Sequence, residues 1–276
     1  MLDYDKYGYK GSSDMSDNQH TLGAILTPRP KYHWVKDSPD PNDIKYKLSG
    51  APLPPMVDLR KWASPIDDQG QLGSCTGNSI AGAIDLIDRK THNKQTQVSR
   101  LFIYYYERLL EGTVRQDSGA QIRDGIKVTY TYGAPLENLW PYNINLFENA
   151  PSSAAVADAA KRKVTRYESC VDFVHVKDAL AAGYPVVIGF SVYESFESQA
   201  VAATGMMPVP DVGTEQCLGG HAVCIMGYDD AKKTFTVRNS WGPNWGDHGY
   251  FHMPYEIIQN TSLSSDFWAI IAVNDP

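Results

Sequence analysis

The spacing of apolar residues changes along this chain, and that change constrains the fold more than any other feature of the sequence. Before about residue 165 the spacing is helical, which predicts helices over 75–90, 99–109, 121–132 and 154–163. Later runs of valine, isoleucine and aromatic residues predict strands over 185–192, 221–228, 234–239, 249–253 and 267–273, preceded by a short helix over 176–182. Helices followed by strands indicate an α+β fold in which a mainly helical lobe and a β-sheet lobe enclose a cleft.

The first 56 residues differ from the rest of the chain. Seven of the 17 prolines lie at or before position 55, and the apolar residues there follow neither a helical nor an alternating period. We therefore predict an N-terminal extension over 1–56 that makes little core, either as a linker or as a strand laid across the body. A single domain is expected over 57–276, with a helical lobe over about 64–165 and a β lobe over about 166–276.

Charge and motif content exclude several classes of function. The 25 Lys and Arg residues against 32 Asp and Glu residues give a formal net charge of −7, which argues against a nucleic-acid partner. No apolar run reaches 18 residues, so no membrane span is expected. The polar N-terminus lacks the apolar stretch of a secretory signal, which leaves a cytoplasmic protein or one exported by a signal absent from this sequence. Without C-x-x-C, H-E-x-x-H or a phosphate-binding lysine motif, we expect no metal and no cofactor.

Four residues have the types and positions of a nucleophilic site. Cys75 opens the first predicted helix, six residues after Gln69, and a helix N-terminus lowers the pKa of a thiol. His221 begins a predicted strand 146 residues later, and Asn239 ends another strand 18 residues beyond it. Each residue alone is more often a structural core residue than a catalytic one. Two neighbouring strands, however, bring such a histidine and asparagine together, which favours a Cys-His-Asn arrangement.

Several sequence blocks resemble the papain family of cysteine proteases. They occur in the family's order between about residues 57 and 253, and they read Val57-Asp-Leu-Arg60, Leu72-Gly-Ser-Cys75-Thr, Trp140-Pro-Tyr142 and Asn239-Ser-Trp241-Gly-Pro-Asn-Trp245-Gly. The chain departs from the family at Leu72, which replaces a cysteine that many relatives hold in a disulfide, and at Thr76, which replaces an aromatic residue. The departures favour a bacterial or other non-mammalian member.

The resemblance implies a role for each site residue. Cys75 would attack the scissile carbonyl as a thiolate paired with protonated His221, and Asn239 would orient the imidazole. Gln69 would stabilise the oxyanion together with the Cys75 backbone N–H. Trp241 would shield the histidine–asparagine hydrogen bond and Trp245 would line the leaving-group side. Trp241 could instead be a core residue without a role in catalysis, and Gln69 could instead be a turn residue.

The substrate groove is predicted from the same resemblance. Gly119, next to Ser118, would pair with the backbone of the substrate residue two before the cut (P2), although a helix-initiating turn is an alternative for these two residues. Ala222 and Gly189 would line the pocket for the P2 side chain. The far end of that pocket would come from the apolar segment 269–271, so an apolar P2 residue is expected.

The expected activity is that of a cysteine endopeptidase acting on protein or peptide substrates through a thioester. Family members carry an N-terminal prosegment that crosses the cleft, so the extension over 1–56 is expected to act as a short inhibitory strand. A thiol acyltransferase or isopeptidase with the same triad is one alternative, and an inactive binding module of the same fold is another. The three remaining cysteines (Cys170, Cys217 and Cys224) are odd in number, so at most one disulfide can form among them.

Overall fold

The computed structural model describes residues 32–274 of the chain. Its helices are α1 (Cys75–His92), α2 (Arg100–Leu110), α3 (Ile122–Thr131), α4 (Ser153–Ala159), α5 (Phe173–Ala181), α6 (Gln199–Thr204) and α7 (Tyr255–Gln259). Its strands are β1 (Trp34–Val35), β2 (Met56–Asp58), β3 (Ala120–Gln121), β4 (Val164–Cys170), β5 (Val186–Tyr193), β6 (Cys217–Asp229), β7 (Thr234–Arg238), β8 (Tyr250–Pro254) and β9 (Ser264–Val273).

Helix α1 forms the centre of the molecule. Its predicted core positions Ile80, Ile84 and Ile87 are at most 1% exposed, and the helix is buried on every side as far as Asp88. It contacts α2 and α3 on one side and strands β6 and β9 on the other. The helix ends where Asn93 adopts a left-handed conformation, a common way to terminate a helix. Because α1 separates the two lobes, its first residue lies where they meet.

An antiparallel sheet of seven strands forms the second lobe. Its strand order is β4-β9-β5-β6-β7-β8, and β2 adds to β6 off this path. Helix α1 covers one region of the sheet and α5 also packs against β4, β5, β6 and β9. Strands covered on both faces need apolar residues throughout, which explains the continuous apolar runs in β5 and β6. The expected α+β architecture with a helical and a sheet lobe is confirmed.

Several element bounds differ from the sequence expectations for local reasons. Helix α4 ends at Ala159, and the chain then enters β4, a strand that its polar residues Thr165, Arg166 and Glu168 had concealed. Helix α5 begins three residues earlier than expected because the Asp172 side chain accepts the N–H groups of Val174 and His175. The short helices α6 and α7 have too few residues to show a helical period.

The described part of the N-terminal extension, residues 32–56, packs along the body. Strand β2 pairs with β6, and Tyr46 is buried in the main core with its hydroxyl donating to Asp178 at 2.9 Å. Tyr46 therefore contributes to the core, which the proline-rich composition did not indicate. Residues 1–31 of the extension lie outside the described residues. Within 32–274 no helix is long and apolar enough to cross a membrane, and all four cysteines are free thiols.

Candidate active site

His221 and Asn239 meet because they lie on neighbouring strands. His221 Nε2 is 2.9 Å from Asn239 Oδ1, and both residues are almost completely buried. The same Oδ1 accepts the backbone N–H of Ser240 at 2.9 Å. A backbone N–H can only donate, so this atom must be the amide oxygen and His221 Nε2 must carry a proton. Neutral His221 therefore has an unprotonated Nδ1, which has no hydrogen-bond partner among residues 32–274.

Cys75 begins α1 beside this pair. Its sulfur accepts backbone N–H groups from Ala222, the residue after His221, from His33 of the N-terminal extension, and from Thr76. Burial nevertheless raises the pKa of the Cys75 thiol to about 11, and burial lowers the pKa of His221 to about 4. The lowered thiol pKa expected from the helix N-terminus is thus wrong for the covered cleft. Desolvation penalises both charged forms more than the N–H groups favour the thiolate.

Gln69 lies behind the nucleophile with a fixed side-chain amide. It is 0% exposed; its Nε2 donates to the Leu72 carbonyl at 3.0 Å, and its Oε1 accepts the Ser240 hydroxyl at 2.6 Å. The Ser240 carbonyl also accepts the Gln69 backbone N–H at 2.8 Å. Ser240 therefore holds Gln69 with its own peptide group and hydroxyl, and adjoins Asn239. The amide nitrogen of Gln69 keeps a second N–H for another acceptor.

Tyr142 closes this part of the site from the helical lobe. Its hydroxyl donates to the Gln69 carbonyl at 2.8 Å and lies 2.6 Å from the Ser74 hydroxyl. The guanidinium of Arg100 lies 3.9 Å above the Tyr142 ring centre. The sequence signal for this residue is the Trp140-Pro-Tyr142 block, to which no specific contact could be assigned from sequence alone.

Trp241 and Trp245 lie against the histidine. The Trp241 ring is stacked on His221 with 5.0 Å between ring centres and 27° between planes, and Trp245 meets Trp241 edge-on at 4.9 Å. Three phenylalanines that sequence reasoning missed complete the cluster: Phe196 contacts both indoles, Phe251 contacts Trp245, and Phe190 contacts His221. The resulting aromatic cluster keeps water from one face of the His221–Asn239 pair.

The groove in front of these residues is occupied by the start of the described extension. The Tyr32 ring contacts both His221 and Trp241 edge-on at 5.8 Å. The His33 carbonyl lies so close to Gly119 that a Cβ there would be 1.6 Å from its oxygen. Trp34 and Val35 form β1, which pairs in parallel with β3 directly after Gly119. The backbone edge expected to bind substrate is thus paired with the extension.

Known proteins resemble this chain over most of its length. The model of the papain family cysteine proteases matches residues 53–270. The chain belongs to that family. An uncharacterized peptidase C1-like protein of Acanthamoeba polyphaga mimivirus is 42% identical over 275 residues, covering 89% of this chain and 88% of the relative. The structure of xylellain, a cysteine protease from Xylella fastidiosa, is 39% identical with a TM-score of 0.80, and the match covers 92% of this chain and 100% of xylellain.

More distant papain-family members match the same region. Cysteine proteinase 2 of Zea mays is 26% identical over 224 residues, covering 76% of this chain and 58% of the relative. A digestive procathepsin L 3 of Tenebrio molitor has the same fold, with a TM-score of 0.68 at 20% identity over 83% of this chain and 74% of that one. The chain is accordingly a papain-like cysteine peptidase, a hydrolase.

The papain-family departure at Leu72 is accompanied by a carboxylate contact. The Asp117 carboxylate accepts the backbone N–H of Gly73 at 2.9 Å and the hydroxyl of Tyr104 at 2.6 Å. Tyr104 in turn accepts the backbone N–H of Gly119 at 3.1 Å. The loop that leads into Cys75 is therefore tied non-covalently to the groove segment at Gly119. Gly73 and Asp117 lie 44 positions apart, so sequence reasoning could not pair them.

Replacing Asp117 by alanine is expected to destabilise the folded chain and to slow peptide hydrolysis. The Gly73 N–H and the Tyr104 hydroxyl would each lose a charged acceptor, which costs about 1–3 kcal/mol in the free energy of unfolding. The loop that carries Gln69 and Cys75 would also lose its tie to Gly119, so kcat is expected to fall about 10-fold. Urea unfolding and peptide hydrolysis measure the two effects. Asp117→Asn keeps one oxygen acceptor, so both its free energy of unfolding and its kcat should fall less than in Asp117→Ala. Equal losses in the two variants would contradict this role.

The predicted substrate-binding residues of this papain-family groove lie in two groups. Gly119 adjoins Ser118, whose hydroxyl donates to Thr113 at 2.8 Å and so stays within its own loop. Gly189 on β5 pairs directly with Ala222 on β6. The Trp34 ring fills the space above Gly189, where a Cβ would lie 2.0 Å from the ring. Gly119 and Gly189 thus border one groove, and Trp34 marks a side-chain pocket in it.

The far end of this pocket is not the apolar segment 269–271 as expected. On β9, Ser265 pairs with Gly189, whereas Ala269 pairs with Val186, three residues farther along β5. Three residues of a strand span about 10 Å, which carries that segment away from the pocket and into the core. Asp266 stands at the pocket end instead, and its carboxylate accepts the indole N–H of Trp34 at 3.2 Å. The apolar segment on which the P2 expectation depends therefore lies away from this pocket, and the P2 preference itself stays a prediction.

Proposed function

We propose that this papain-family peptidase is an endopeptidase that cleaves peptide bonds through Cys75, His221 and Asn239. The observation that carries the proposal is the imidazole of His221, whose Nε2 is bound to Asn239 and whose Nδ1 has no partner, while the Cys75 thiol meets the backbone of the next residue, Ala222. Nδ1 would take the thiol proton while the Cys75 sulfur forms a bond to the scissile carbonyl carbon. The same proton would pass to the leaving amine as the C–N bond breaks. A thioester remains, which water attacks with Nδ1 as the base.

Gln69 would stabilise the oxyanion in both steps. Its amide nitrogen has one N–H engaged by the Leu72 carbonyl and a second available to the substrate oxygen. The Cys75 backbone N–H, at the start of α1, would supply the other donor. Because Ser240 holds the Gln69 oxygen, the amide needs no reorganisation when charge develops on the substrate. Removing such a donor costs about 10²–10³ in rate.

The groove would bind an extended peptide where the N-terminal extension now lies. Gly119 would pair with its backbone, Gly189 and Ala222 would border the P2 pocket, and Trp241 with Trp245 would cover the leaving-group side. Support comes from the backbone pairing and ring packing that residues 32–34 already make at these positions.

The extension would keep the enzyme latent. His33 presents its backbone N–H to the Cys75 sulfur, and the Tyr32 ring lies against His221. A segment held in this way would cover the site and exclude substrate. Burial of the site by the extension also disfavours the thiolate–imidazolium form that the reaction requires.

Labelling by an epoxide-type thiol protease inhibitor tests the proposal. We expect modification of buried Cys75 alone, located by peptide mass mapping, while exposed Cys217 stays unmodified. Selective reaction of the buried thiol would require the His221 base and transient opening of the groove. Modification of Cys217 without Cys75 would contradict it. Labelling of Cys75 with no hydrolysis, but with acyl transfer to an added amine, would favour the acyltransferase alternative.

A further inference from the structure

A small cavity borders Asn239 in the interior of the chain. Its volume is about 10 Å³, which is close to the space that one water molecule needs inside a protein. Cavities that stay dry are lined by apolar groups, whereas this one is mostly polar. Six of its eight lining residues have polar side chains (Asp67, Asn78, Ser79, Arg238, Asn239 and Ser240). The cavity therefore has the size and the polarity of a water site.

The side-chain amide of Asn239 is hydrogen-bonded at one end only. Its oxygen is engaged by the imidazole of His221 and by the backbone N–H of Ser240. Its nitrogen, Nδ2, has no hydrogen-bond partner in the described range 32–274, although Asn239 is only 2% exposed. A buried N–H group without an acceptor is destabilising, so folded proteins supply one from the chain or from ordered water. Because Asn239 borders the cavity, a water there can accept from Nδ2.

Asp67 and Ser79 supply acceptors for the two protons of such a water. The Asp67 carboxylate lies 3.1 Å from Nη2 of Arg238 and 3.5 Å from Nε of Arg100. A carboxylate has about four acceptor sites, so these two contacts leave room for another donor. The Ser79 hydroxyl donates to the Thr76 carbonyl at 3.0 Å, which leaves its oxygen free to accept. A water with these three partners makes the usual number of hydrogen bonds for a buried one.

Asp67 also contacts the chain on both sides of Asn239. Arg238, its ion-pair partner, immediately precedes Asn239 at the end of β7, and the Arg238 side chain is only 3% exposed. The Asp67 carbonyl accepts the backbone N–H of Gly242, three residues beyond Asn239, at 2.9 Å. These contacts hold the backbone that carries the Asn239 side chain, while the cavity lies beside its amide nitrogen.

We propose that one buried water occupies this cavity, accepting from Asn239 Nδ2 and donating to the Asp67 carboxylate, and that Asp67 is thereby a positioning residue for peptide hydrolysis. The inference rests on the proposed peptidase function, in which Asn239 orients the imidazole of His221. Asp67 acts through Asn239 rather than on the substrate. An amide that is hydrogen-bonded at both ends cannot rotate without breaking a bond, so the water and Asp67 fix the plane in which Asn239 holds the imidazole.

A crystal structure of the full wild-type chain, at a resolution that shows ordered waters, tests the site directly. We expect one water at about 2.7–3.2 Å from both Asn239 Nδ2 and an Asp67 carboxylate oxygen. A direct hydrogen bond from Nδ2 to another protein atom, or a cavity without density for a water, would overturn the proposal. This readout does not depend on activity. The water in a chain that hydrolyses no peptide would defeat the proposed function alone, and hydrolysis by a chain without the water would defeat the inference alone.

Asp67→Ala tests the positioning role. We expect kcat to fall about 10-fold while KM stays within about 3-fold, because a tilted imidazole slows proton transfer and leaves the groove that binds substrate intact. Asp67→Asn keeps one oxygen acceptor for the water, so its kcat should fall only about 3-fold. Initial rates over a range of peptide concentrations give kcat and KM, and the urea midpoint of each variant checks its folding.

Asp158→Ala is the matched control. Asp158 is also a carboxylate with two basic partners, Arg162 at 2.7 Å and Lys161 at 3.1 Å, and its side chain is 9% exposed against 13% for Asp67. It lies on α4 and does not line the cavity. Its loss should lower the urea midpoint but leave kcat within about 2-fold of wild type. Equal kcat losses in Asp67→Ala and Asp158→Ala, or an unchanged kcat in both Asp67 variants, would overturn the positioning role.

Discussion

A chain carrying Cys75→Ala is expected to hydrolyse peptides at least about 10⁴-fold more slowly than wild type, and His221→Ala should cost about as much. The two residues act in one proton transfer, since the imidazole Nδ1 removes the proton that makes the sulfur nucleophilic. The double variant should therefore be no slower than the slower single variant. Single-turnover hydrolysis of a fluorogenic peptide measures kcat for all three.

Cys217→Ala is the control, because it removes an exposed thiol that lies outside the triad. It should keep activity within about 2-fold of wild type. Folding of each variant is checked by its urea midpoint, which should change little for Cys75→Ala because the small side chain is replaced by one of similar size. Losses that multiply in the double variant would mean that Cys75 and His221 act independently, and the proposed mechanism would fail.

The parts of the fold that sequence predicts are those with a local cause. Ser99 caps α2, which was predicted to begin there, because its hydroxyl accepts the N–H of Phe102 only three residues later. The proximity of His221 and Asn239 could also be predicted, because β6 and β7 are joined by a short turn and pair with each other. The division into a helical and a sheet lobe could be predicted for the same reason, because it depends on the spacing of apolar residues within single segments.

The parts that sequence could not predict depend on contacts between distant segments. Trp34 and Asp266 lie 232 positions apart, and neither has a motif that points to the other. The sequence predicts the far end of the pocket at the apolar segment 269–271, whereas β9 begins at Ser264 and its first residues, Ser264 and Ser265, pair with β5 beside the pocket. A shift of a few residues along a strand replaces one lining side chain by another, so subsites are more sensitive to such errors than the fold is.

Two opposed effects act on the ionisation of Cys75, the helix N-terminus and burial, and the larger of the two free energies decides the pKa of the thiol. A helix N-terminus typically stabilises an anion by about 0.3–1 kcal/mol, and this was the effect considered from sequence. Burial raises the pKa of the thiol from 9.0 to about 11, which corresponds to about 3 kcal/mol against the thiolate. Desolvation is therefore the larger effect while the groove is covered, and we expect uncovering the groove to reduce that penalty.

Removing the side chains that hold the extension in the groove should raise activity about 10²-fold. The full chain carrying Tyr32→Ala and Trp34→Ala loses the ring contacts to His221 and Trp241 and the large ring that fills the P2 pocket. Deleting a fully buried tryptophan side chain costs about 3–5 kcal/mol, and part of that cost for partly buried Trp34 is enough to shift a closed groove toward the open form. Initial rates of peptide hydrolysis, measured without preincubation, give the increase. Residues 44–58 remain in place because Tyr46 and β2 are part of the body.

Val35→Ala is the matched control, since Val35 belongs to the same strand β1 but is 42% exposed. It should leave the rate within about 2-fold of wild type. Thiol alkylation at pH 7 provides an independent measurement: with a pKa of about 11 the covered Cys75 reacts slowly, whereas in the double variant the uncovered thiol should react at least 10 times faster. Equal alkylation and hydrolysis rates in wild type and double variant would mean that the extension does not restrain the enzyme. Faster alkylation with unchanged hydrolysis would instead mean that uncovering the sulfur does not assemble the site, and latency would have to lie in another step.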